Sequence, residues 1–437
     1  MTRLKELFSG LKEFHFKLFF SLCLLSLFPF IYQTVNAFLV SSVEGLNVIG
    51  QMEWYDLIDD TLKAFLIIPL YSVLNRAIKK DRQHFSAHVF KALLISLAVY
   101  IVFSLVVYFV TLNLVDYMNN ESIDLEEVTF HLQMETIANI IYIVTVICDV
   151  AFVVIGKSRN VYLLMIMQMI LGIIGDFNLI PKYGVIGVSY TNIMTNSVLA
   201  LTAVALLIYG KNIKPAKLDS SDMPLIKQWV KIGFFSGIQL LLDNLVYAYM
   251  ISRMVNLVSE EGSYYVSTLF ILNFALVPIF ALAEVIRHDC VDDYRKLKHR
   301  NYYFIATISL SFVALTIPAW SPFFQYVEQL SDYQEVYSIT IKLFPFYIAF
   351  ALSMIPDSIF IGTGKTMYLM INSLIINIGY YLIFFILYQL RLINMTMDNI
   401  ILIYGSGLIL HLIVSLVEER VFLKKLKQSS KTDSLLN

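Results

Sequence analysis

Long apolar runs recur along the whole chain, and they decide what it can fold into. A bilayer core about 30 Å thick needs about 20 apolar residues for each helical span. Twelve segments meet or approach that length, at 18–40, 56–75, 88–114, 128–155, 160–181, 185–209, 229–253, 263–286, 301–325, 337–362, 366–390 and 398–420. The second departs most from the pattern, because Asp56, Asp59, Asp60 and Lys63 lie in its first half. The runs predict an all-α membrane protein with twelve transmembrane helices.

The composition excludes a soluble enzyme. Of the 437 residues, 58% are hydrophobic and 15% are charged, against about 45–50% and about 25% in soluble domains. Cys23, Cys148 and Cys290 are far apart and the seven histidines are scattered, so the spacing indicates neither a disulfide framework nor a zinc site. We therefore expect no enzymatic activity and no cofactor.

The charges between the apolar segments are sorted by sign. With both termini in the cytoplasm, 27 of the 32 Lys and Arg residues fall in inner segments. The opposite loops carry clustered acids instead, among them Asp124, Glu126 and Glu127. This asymmetry is the positive-inside pattern, and a wrong number of spans would scramble it. The pattern therefore supports twelve spans with both termini cytoplasmic.

A phrase in the fourth segment returns in the tenth, 208 residues later. Residues 149–158 and 357–366 each begin with Asp and end with Gly-Lys followed by Ser or Thr. The same offset maps Asn36 onto Asn244. A single offset that holds for an Asp, a Gly-Lys pair and an Asn predicts a head-to-tail duplication of six spans.

Because six is an even number, the two copies are parallel and related by an axis along the membrane normal. The expected architecture is two six-helix lobes around a central cavity, formed by residues 1–210 and 228–437. Residues 211–227 are polar, with two prolines and basic ends, and are predicted to be a cytoplasmic linker. The Gly-Lys turns do not indicate a nucleotide site, because Ala151 and Ile359 replace the earlier glycine of a P-loop.

Three motifs carry a family resemblance. They are residues 35–41 in the first segment, the Gly-Lys-Ser/Thr turns, and residues 178–188 between the fifth and sixth segments. Over nearly its whole length the chain resembles the multidrug and toxic compound extrusion (MATE) transporters, and the polysaccharide flippases of the same superfamily share much of the pattern. The resemblance implies alternating access at the bacterial inner membrane. It also implies export of a small organic or cationic amphiphilic compound in exchange for protons or sodium ions.

Ionisable side chains inside the spans are the candidates for ion coupling, because each costs about 2.5–3.5 kcal/mol at the bilayer centre. Asp243 comes first, since it lies about fifteen residues into the seventh span, where the resemblance also implies an acid. A packing role for Asp243 is the alternative. Asp357 is a shallower candidate near the cytoplasmic boundary, where pairing with Lys365 is the alternative.

In the amino-terminal half the candidates are Asp176, Glu135 and Asn36. Many prokaryotic MATE transporters carry an Asp where this chain has Asn36. An amide does not exchange protons in this range, so Asn36 is expected to bond a neighbouring acid or to offer its carbonyl to a cation. Glu135 lies near the outer interface. The alternative to a coupling role is that its side chain extends to the water at this interface.

The substrate is expected to contact polar and aromatic side chains of the first, fourth and seventh spans. The candidates are Tyr32, Gln33, Asn139, Gln239, Asn244 and Tyr247. As partners we expect a small-molecule substrate and the lipid bilayer, with no nucleic acid and a monomeric chain.

Two other functions remain open. A flippase for lipid-linked oligosaccharide would want basic side chains for a pyrophosphate, and the spans offer only Lys63 and Lys342, near the outer ends. The acids in both halves argue against a non-transporting membrane scaffold. Asn36 is nevertheless compatible with a divergent relative of the family that has this role.

Overall fold

The computed structural model describes residues 14–41, 53–80, 85–119, 124–218, 222–293 and 299–436. These residues form helices and short connections, and no strand occurs among them. The amino-terminal half contains α1 (Phe16–Ser41), α2 (Glu53–Lys80), α3 (Phe85–Met118), α4 (Leu125–Val154), α5 (Ser158–Tyr183) and α6 (Ile186–Tyr209).

The carboxy-terminal half has more interrupted helices. It contains α7 (Met223–Val246), α8 (Arg253–Asn256), α9 (Glu261–Phe270), α10 (Val277–Asp293), α11 (His299–Leu315), α12 (Trp320–Pro322), α13 (Tyr333–Gly362), α14 (Met367–Ile376), α15 (Leu382–Gln389) and α16 (Met397–Leu436). The π-helical stretches are Tyr247–Ser252, Ile271–Ala275, Phe323–Val327 and Asn377–Tyr381, and Ile317–Ala319 is a 3-10 turn. A π-helical turn widens the helix locally and often accompanies a functional site.

Eight helical stretches in the described part of the chain are long and apolar enough to cross a membrane. They are Phe85–Met118, Leu125–Val154, Ser158–Tyr183, Ile186–Tyr209, His299–Val327, Tyr333–Gly362, Met367–Gln389 and Met397–Lys425. A ninth results if Glu261–Ala275 and Val277–Cys290, bent by 51°, count as one span. The remaining predicted segments lie in α1, in α2, and in α7 with the turns after it. The helical, multi-pass character is confirmed, and the total of twelve stays a prediction.

The described residues divide into two compact units. One unit contains the described residues from Val35 to Leu257, and the other contains those up to Thr34 together with those from Val258 onward. These boundaries follow packing density rather than the 208-residue repeat, so the lobes 1–210 and 228–437 remain a prediction.

In the unit from Val35 to Leu257, α2 to α7 pack around an apolar core. Its fully buried side chains include Leu70, Tyr100, Ile143, Phe152 and Leu199. These side chains come from α2, α3, α4 and α6, so the core joins helices that are distant in sequence.

Two glycines let α5 and α6 approach closely in this unit. A Cβ on Gly187 would lie 2.6 Å from the backbone carbonyl of Leu179, which leaves no room for any side chain. A Cβ on Gly175 would lie 2.6 Å from the side chain of Thr191. Close approach of backbones at small residues is a common basis of helix association in membranes. The packing explains why the segment between the fifth and sixth spans is rich in glycine.

The other unit is organised by an aromatic cluster. The ring of Phe270 lies 5.2 Å from that of Trp320 and 4.8 Å from that of Phe324, both edge to face. Trp320 in turn lies 5.1 Å from Phe344 of α13. Edge-to-face pairs of this kind contribute about 0.5–1.5 kcal/mol beyond their burial. They join the end of α9 to α12 and α13.

The repeated phrase folds in the same way in both units. Helices α4 and α13 begin 208 residues apart and also end 208 residues apart. Gly156 and Gly364 follow them with φ of 75° and 70°, in the left-handed region that glycine enters without strain. Equivalent backbone hydrogen bonds close both turns, from Ile155, Gly156 and Lys157 to Ala151, Val153 and Phe152, and from Thr363, Gly364 and Lys365 to Ile359, Ile361 and Phe360. The repeat is therefore visible in backbone geometry as well as in sequence.

The described part of the predicted linker is tied to α3. Residues 211–218 are not helical, and residues 219–221 lie outside the described residues. Lys214 N donates to the carbonyl oxygen of Ser86 at 3.1 Å. Just before α7, Asp222 forms a buried ion pair with Lys91, with 2.8 Å between Nζ and the carboxylate oxygens. Both contacts connect the segment between the two halves to one helix of the first.

Candidate functional site

The buried carboxylate of Asp176 on α5 is bound by an amide from α1. Asp176 is 0% exposed, and its Oδ2 accepts a hydrogen bond from Asn36 Nδ2 at 3.0 Å. Asn36 itself is half-buried. A carboxylate removed from water needs hydrogen bonds or a bound cation to offset its desolvation. The acid that Asn36 bonds is Asp176, which is 140 positions away in the chain.

Local packing places Asp176 next to one of the close contacts between α5 and α6. Its neighbour Gly175 touches Thr191, and Thr191 is directly followed by Asn192. Because α6 runs so near to α5 here, polar side chains of α6 lie beside the same stretch of α5. From this position Asn192 bonds Glu135, an acid of α4.

Several polar contacts join α4 to α6. Asn192 Nδ2 donates to Glu135 Oε1 at 2.9 Å. Ser189 Oγ lies 2.7 Å from His131 Nδ1 and donates to the His131 carbonyl oxygen at 3.3 Å, and Asn196 Nδ2 donates to the carbonyl oxygen of Ala138 at 3.1 Å. Glu135 is half-buried and bonded within the helix bundle.

Helix α2, in the unit from Val35 to Leu257, has an ion pair on one face. Lys63 Nζ lies 2.5 Å from Asp59 Oδ2 and 3.7 Å from Asp60 Oδ1. The same ammonium lies 5.3 Å from the ring centre of Tyr142 on α4. Asp59 is 1% exposed, so its charge depends on Lys63 for compensation. Lys63 therefore compensates part of the negative charge that weakened the second segment as a predicted span.

One turn before Asp59, Tyr55 joins α2 to α4. Its hydroxyl donates to Thr136 Oγ1 at 3.1 Å and accepts from Asn139 Nδ2 at 3.5 Å. Tyr55 is 3% exposed, while Asn139 is half-buried. Asn139, a predicted substrate contact, thus lies on the helix face that meets α2.

Helix α7 packs on α2 through Asn244. Its amide nitrogen donates to the carbonyl oxygen of Leu57 and to Thr61 Oγ1, both at 2.9 Å. A Cβ on Gly237 would lie 2.3 Å from the ring of Phe65, so the two helices are in close contact. Asp243 is half-buried in the last turn of α7, directly before the π-helical stretch.

In the other unit, Asp357 of α13 is bonded by two side chains of α16. His411 Nε2 lies 3.0 Å from its Oδ2, and Ser415 Oγ donates to its Oδ1 at 2.9 Å. Asn372 of α14 donates to the same serine hydroxyl at 2.7 Å. Asp357 therefore lies in a network of three helices.

A second acid on α16 continues this network toward α11. Glu419 Oε1 lies 2.8 Å from His299 Nδ1, and its Oε2 accepts from the Tyr303 hydroxyl at 2.7 Å. Glu419 is 6% exposed. On α16 the residues His411, Ser415 and Glu419 are spaced by four, which places them on one face of the helix.

One further acid lies just outside the membrane-spanning stretches. Glu328 follows the stretch His299–Val327 and is 5% exposed. Its Oε2 has no hydrogen-bond partner among the described residues. Burial raises the pKa of Glu328 to about 8, because removal from water penalises the charged form.

Comparison with known proteins decides the fold. No protein-family model and no curated protein matches the chain. Among solved structures, the inward-facing conformation of a multidrug resistance MATE family transporter of the MOP superfamily is similar, with a TM-score of 0.73 and 16% identity over 91% of this chain and 95% of that one. The chain has the MATE transporter fold.

Two further structures support this conclusion. A mutant of the Vibrio cholerae MATE transporter VcmN gives a TM-score of 0.70 at 15% identity, over 94% of this chain and 97% of that one. A MOP superfamily transporter from Pyrococcus furiosus, for which a reversed polarity of the binding pocket is described as suggesting a different function, gives 0.63 at 16% identity over 94% and 96%. At such identities the likeness establishes the MATE fold and leaves substrate and coupling to be argued from the residues.

The remaining predicted substrate contacts lie in the first and seventh predicted spans. Tyr32, Gln239 and Tyr247 are each half-buried, on α1, on α7 and at the start of the π-helical stretch. The side chain of Gln33 lies outside the described residues.

Several polar partners were not predicted from the sequence. They are Tyr55 on α2, Asn192 on α6, and His411, Ser415 and Glu419 on α16. A spacing of four residues was the available signal, since it occurs both in Tyr55, Asp59 and Lys63 and in the set on α16.

Proposed function

We propose that this chain is a secondary active transporter. It exports a small organic or cationic amphiphilic compound in exchange for protons or sodium ions by alternating access. The observation that carries the proposal is the contact between Asp176 and Asn36, in which a fully buried carboxylate is held by a neutral amide. The solved structures with the same fold include a multidrug resistance transporter.

The chemistry of this pair fits cation coupling. Asp176 is the titratable member, because an amide neither gains nor loses a proton in the physiological range. With Asp176 charged, the Asn36 amide donates to it. When a proton or a sodium ion binds Asp176, the carbonyl oxygen of Asn36 offers an acceptor or a ligand instead. Cation binding thus changes a contact between α1 and α5.

Such a change is sufficient for antiport. Coupling requires only that the cation and the substrate bind the outward-facing and inward-facing states with different affinities. Glu135 and Asp243 are further cation sites in this proposal, and Asp357 is the candidate in the other unit. The chain acts as a monomer in a bacterial inner membrane with both termini in the cytoplasm.

The pairing of two lysines with acids favours export of a cation over flipping of an anionic lipid-linked sugar. Lys63 is paired with Asp59, and Lys342 lies 2.6 Å from Asp398 Oδ1. Both positive charges are therefore compensated within the chain, which makes them poor ligands for a pyrophosphate. The excess acid beside Lys63 suits a cationic compound.

The test uses inverted membrane vesicles that carry a proton or a sodium gradient. Organic cations such as tetraphenylphosphonium and ethidium, added to wild-type vesicles, should discharge the gradient. Asp176→Asn should abolish this response, and so should Asp243→Asn if both acids are required. Glu284→Gln is the matched control, since Glu284 is half exposed and pairs with Arg287 on its own helix.

Two outcomes would reject the proposal. One is an identical response of wild type and Asp176→Asn across a broad panel under both gradients. The other is movement of a fluorescent lipid-linked oligosaccharide pyrophosphate across the bilayer without any response to organic cations, which would establish the flippase.

A further inference from the structure

Two histidines and an aspartate converge at one end of the unit that contains α9 to α16. His15 directly precedes α1, and His288 and Asp289 lie near the end of α10. His15 Nδ1 is 2.9 Å from Asp289 Oδ1, and His288 Nδ1 is 3.5 Å from the same oxygen. All three ligand atoms lie within 4.8 Å of one another. The cluster is separate from the acids assigned to ion coupling.

These distances match those between ligands of one small metal ion. A tetrahedral zinc ion with metal–ligand distances of about 2.1 Å holds its ligand atoms about 3.4 Å apart. The two measured distances from Asp289 Oδ1 lie on either side of that value. The imidazole rings of His15 and His288 have centroids 5.4 Å apart and are nearly perpendicular, and their ligand nitrogens lie within 4.8 Å of one another.

The surroundings provide both access and support. The side chains of His15 and His288 are 50% and 54% exposed, so an ion can arrive from water, while that of Asp289 is only 16% exposed. The Tyr302 hydroxyl donates to Asp289 Oδ2 at 2.8 Å, which leaves Oδ1 directed at the histidines. A hydrogen bond from an outer residue to a ligating carboxylate is the usual way in which a metal ligand is oriented.

We propose that His15, His288 and Asp289 bind a divalent transition metal ion, with zinc as the preferred ion. Two imidazoles and one carboxylate suit zinc and leave a fourth position for water. Hard cations such as magnesium and calcium prefer oxygen ligands and would bind weakly here. In the proposed orientation of the chain, the site faces the cytoplasm.

The ion would connect residues 273 positions apart. It would fix the residue that precedes α1 to the end of α10, both in the same unit. The expected result is a gain in thermal stability of the full chain when zinc is present, because the ion binds the folded site and not the separated residues. Nothing in the coupling chemistry of Asp176 depends on this site.

The test measures zinc bound by the purified full-length protein after chelation and dialysis, together with titration calorimetry. We expect one zinc ion per chain. His15→Gln and His288→Gln should each weaken zinc binding at least about 100-fold. Tyr302→Phe should weaken it about 10- to 100-fold, the range typical for loss of an outer-sphere hydrogen bond. Cobalt(II) should bind with the absorption spectrum of a tetrahedral site.

Two controls separate the site from adventitious binding. His131→Gln removes a buried histidine of the other unit that is bonded to Ser189, and it should leave zinc binding unchanged. The melting temperature of each variant in the absence of metal establishes that it is folded. Zinc binding that persists at full stoichiometry in folded His15→Gln/His288→Gln would overturn the proposal. So would a wild-type chain that binds no zinc at micromolar concentration.

Discussion

Asp357 on α13 and His411 on α16 are joined by a contact of 3.0 Å between Oδ2 and Nε2. Ser415, one turn further along α16, donates to the other oxygen of the same carboxylate. The repeat mate of Asp357, Asp149, begins the same phrase in the first half. The two halves therefore share this Asp in sequence, and its copy in the second half forms the contact with α16.

Removal of the Asp357 carboxylate should destabilise the chain. Hydrogen bonds between membrane helices contribute about 0.6 kcal/mol on average and about 1.7 kcal/mol at most, so loss of two bonds in Asp357→Ala should cost about 1 kcal/mol. The melting temperature in detergent measures this cost. Asp357→Asn retains the volume and part of the bonding, so a folded Asp357→Asn without transport would assign Asp357 to coupling, and one with normal transport would assign it to packing.

A second carboxylate introduced beside Asp176 should change the pH dependence of transport. In Asn36→Asp the new acid would lie about 3 Å from Asp176, and two carboxylates at that distance do not both ionise. The pair should keep one proton to higher pH, so half-maximal proton-driven transport should move to higher pH. The measurement is the initial rate of substrate export against pH in proteoliposomes. An unchanged profile in a folded variant would contradict a coupling role for this pair.

The stability of the chain should fall as the pH rises above the ordinary pKa of a glutamate. Because the pKa of Glu328 is about 8 in the folded chain, above the ordinary value of 4.5, its contribution to stability is complete below pH 4.5 and is lost as the pH rises to about 8. Glu328→Gln should remove this part of the pH dependence and raise the melting temperature at pH 8 relative to wild type. A parallel decline in both proteins between pH 5 and 8 would show that Glu328 does not contribute.

The two glycine turns should respond equally to alanine. A Cβ at Gly156 or Gly364 would meet no atom within 4 Å, so only the left-handed backbone opposes it. That strain costs about 1–2 kcal/mol. Thermal unfolding should therefore detect a similar loss in Gly156→Ala and Gly364→Ala. The control is Gly379→Ala, where a Cβ also meets open space but φ is not positive, and no loss is expected there.

Much of the fold could be predicted because it depends on local patterns. Apolar length predicted the helices, and the 208-residue offset predicted a duplication, whose two Gly-Lys turns have equivalent hydrogen bonds in the structure. The resemblance identified Asn36 and Asp176 as separate candidates, and the structure shows the amide–carboxylate contact between them. Each of these inferences rests on a short stretch of chain or on a family pattern.

The missed contacts depend on which helix faces which. Asp59 and Lys63 counted against a span in the sequence, because a count of charges does not reveal that the two form an ion pair. His411 was one of seven scattered histidines until α16 placed it beside Asp357. His15 and His288 have no spacing that a motif search would detect, since only the packing of the start of α1 near the end of α10 brings them together.

The amide of Asn36 sets an energetic ceiling on the proposed exporter. A pair made of one acid and one amide carries a single proton per cycle, where a pair of acids would offer two sites. One elementary charge moving down a potential of 100 mV supplies about 2.3 kcal/mol. At about 1.4 kcal/mol for each tenfold ratio, this potential acting on one proton sustains an outward gradient of a neutral compound of about 50-fold, whereas exchange of one proton for a monovalent cation moves no net charge and gains nothing from the potential. A transporter with this stoichiometry lowers the concentration of a compound in the cell only to a limited extent. Coupling at the other acids would be needed to lower that concentration further.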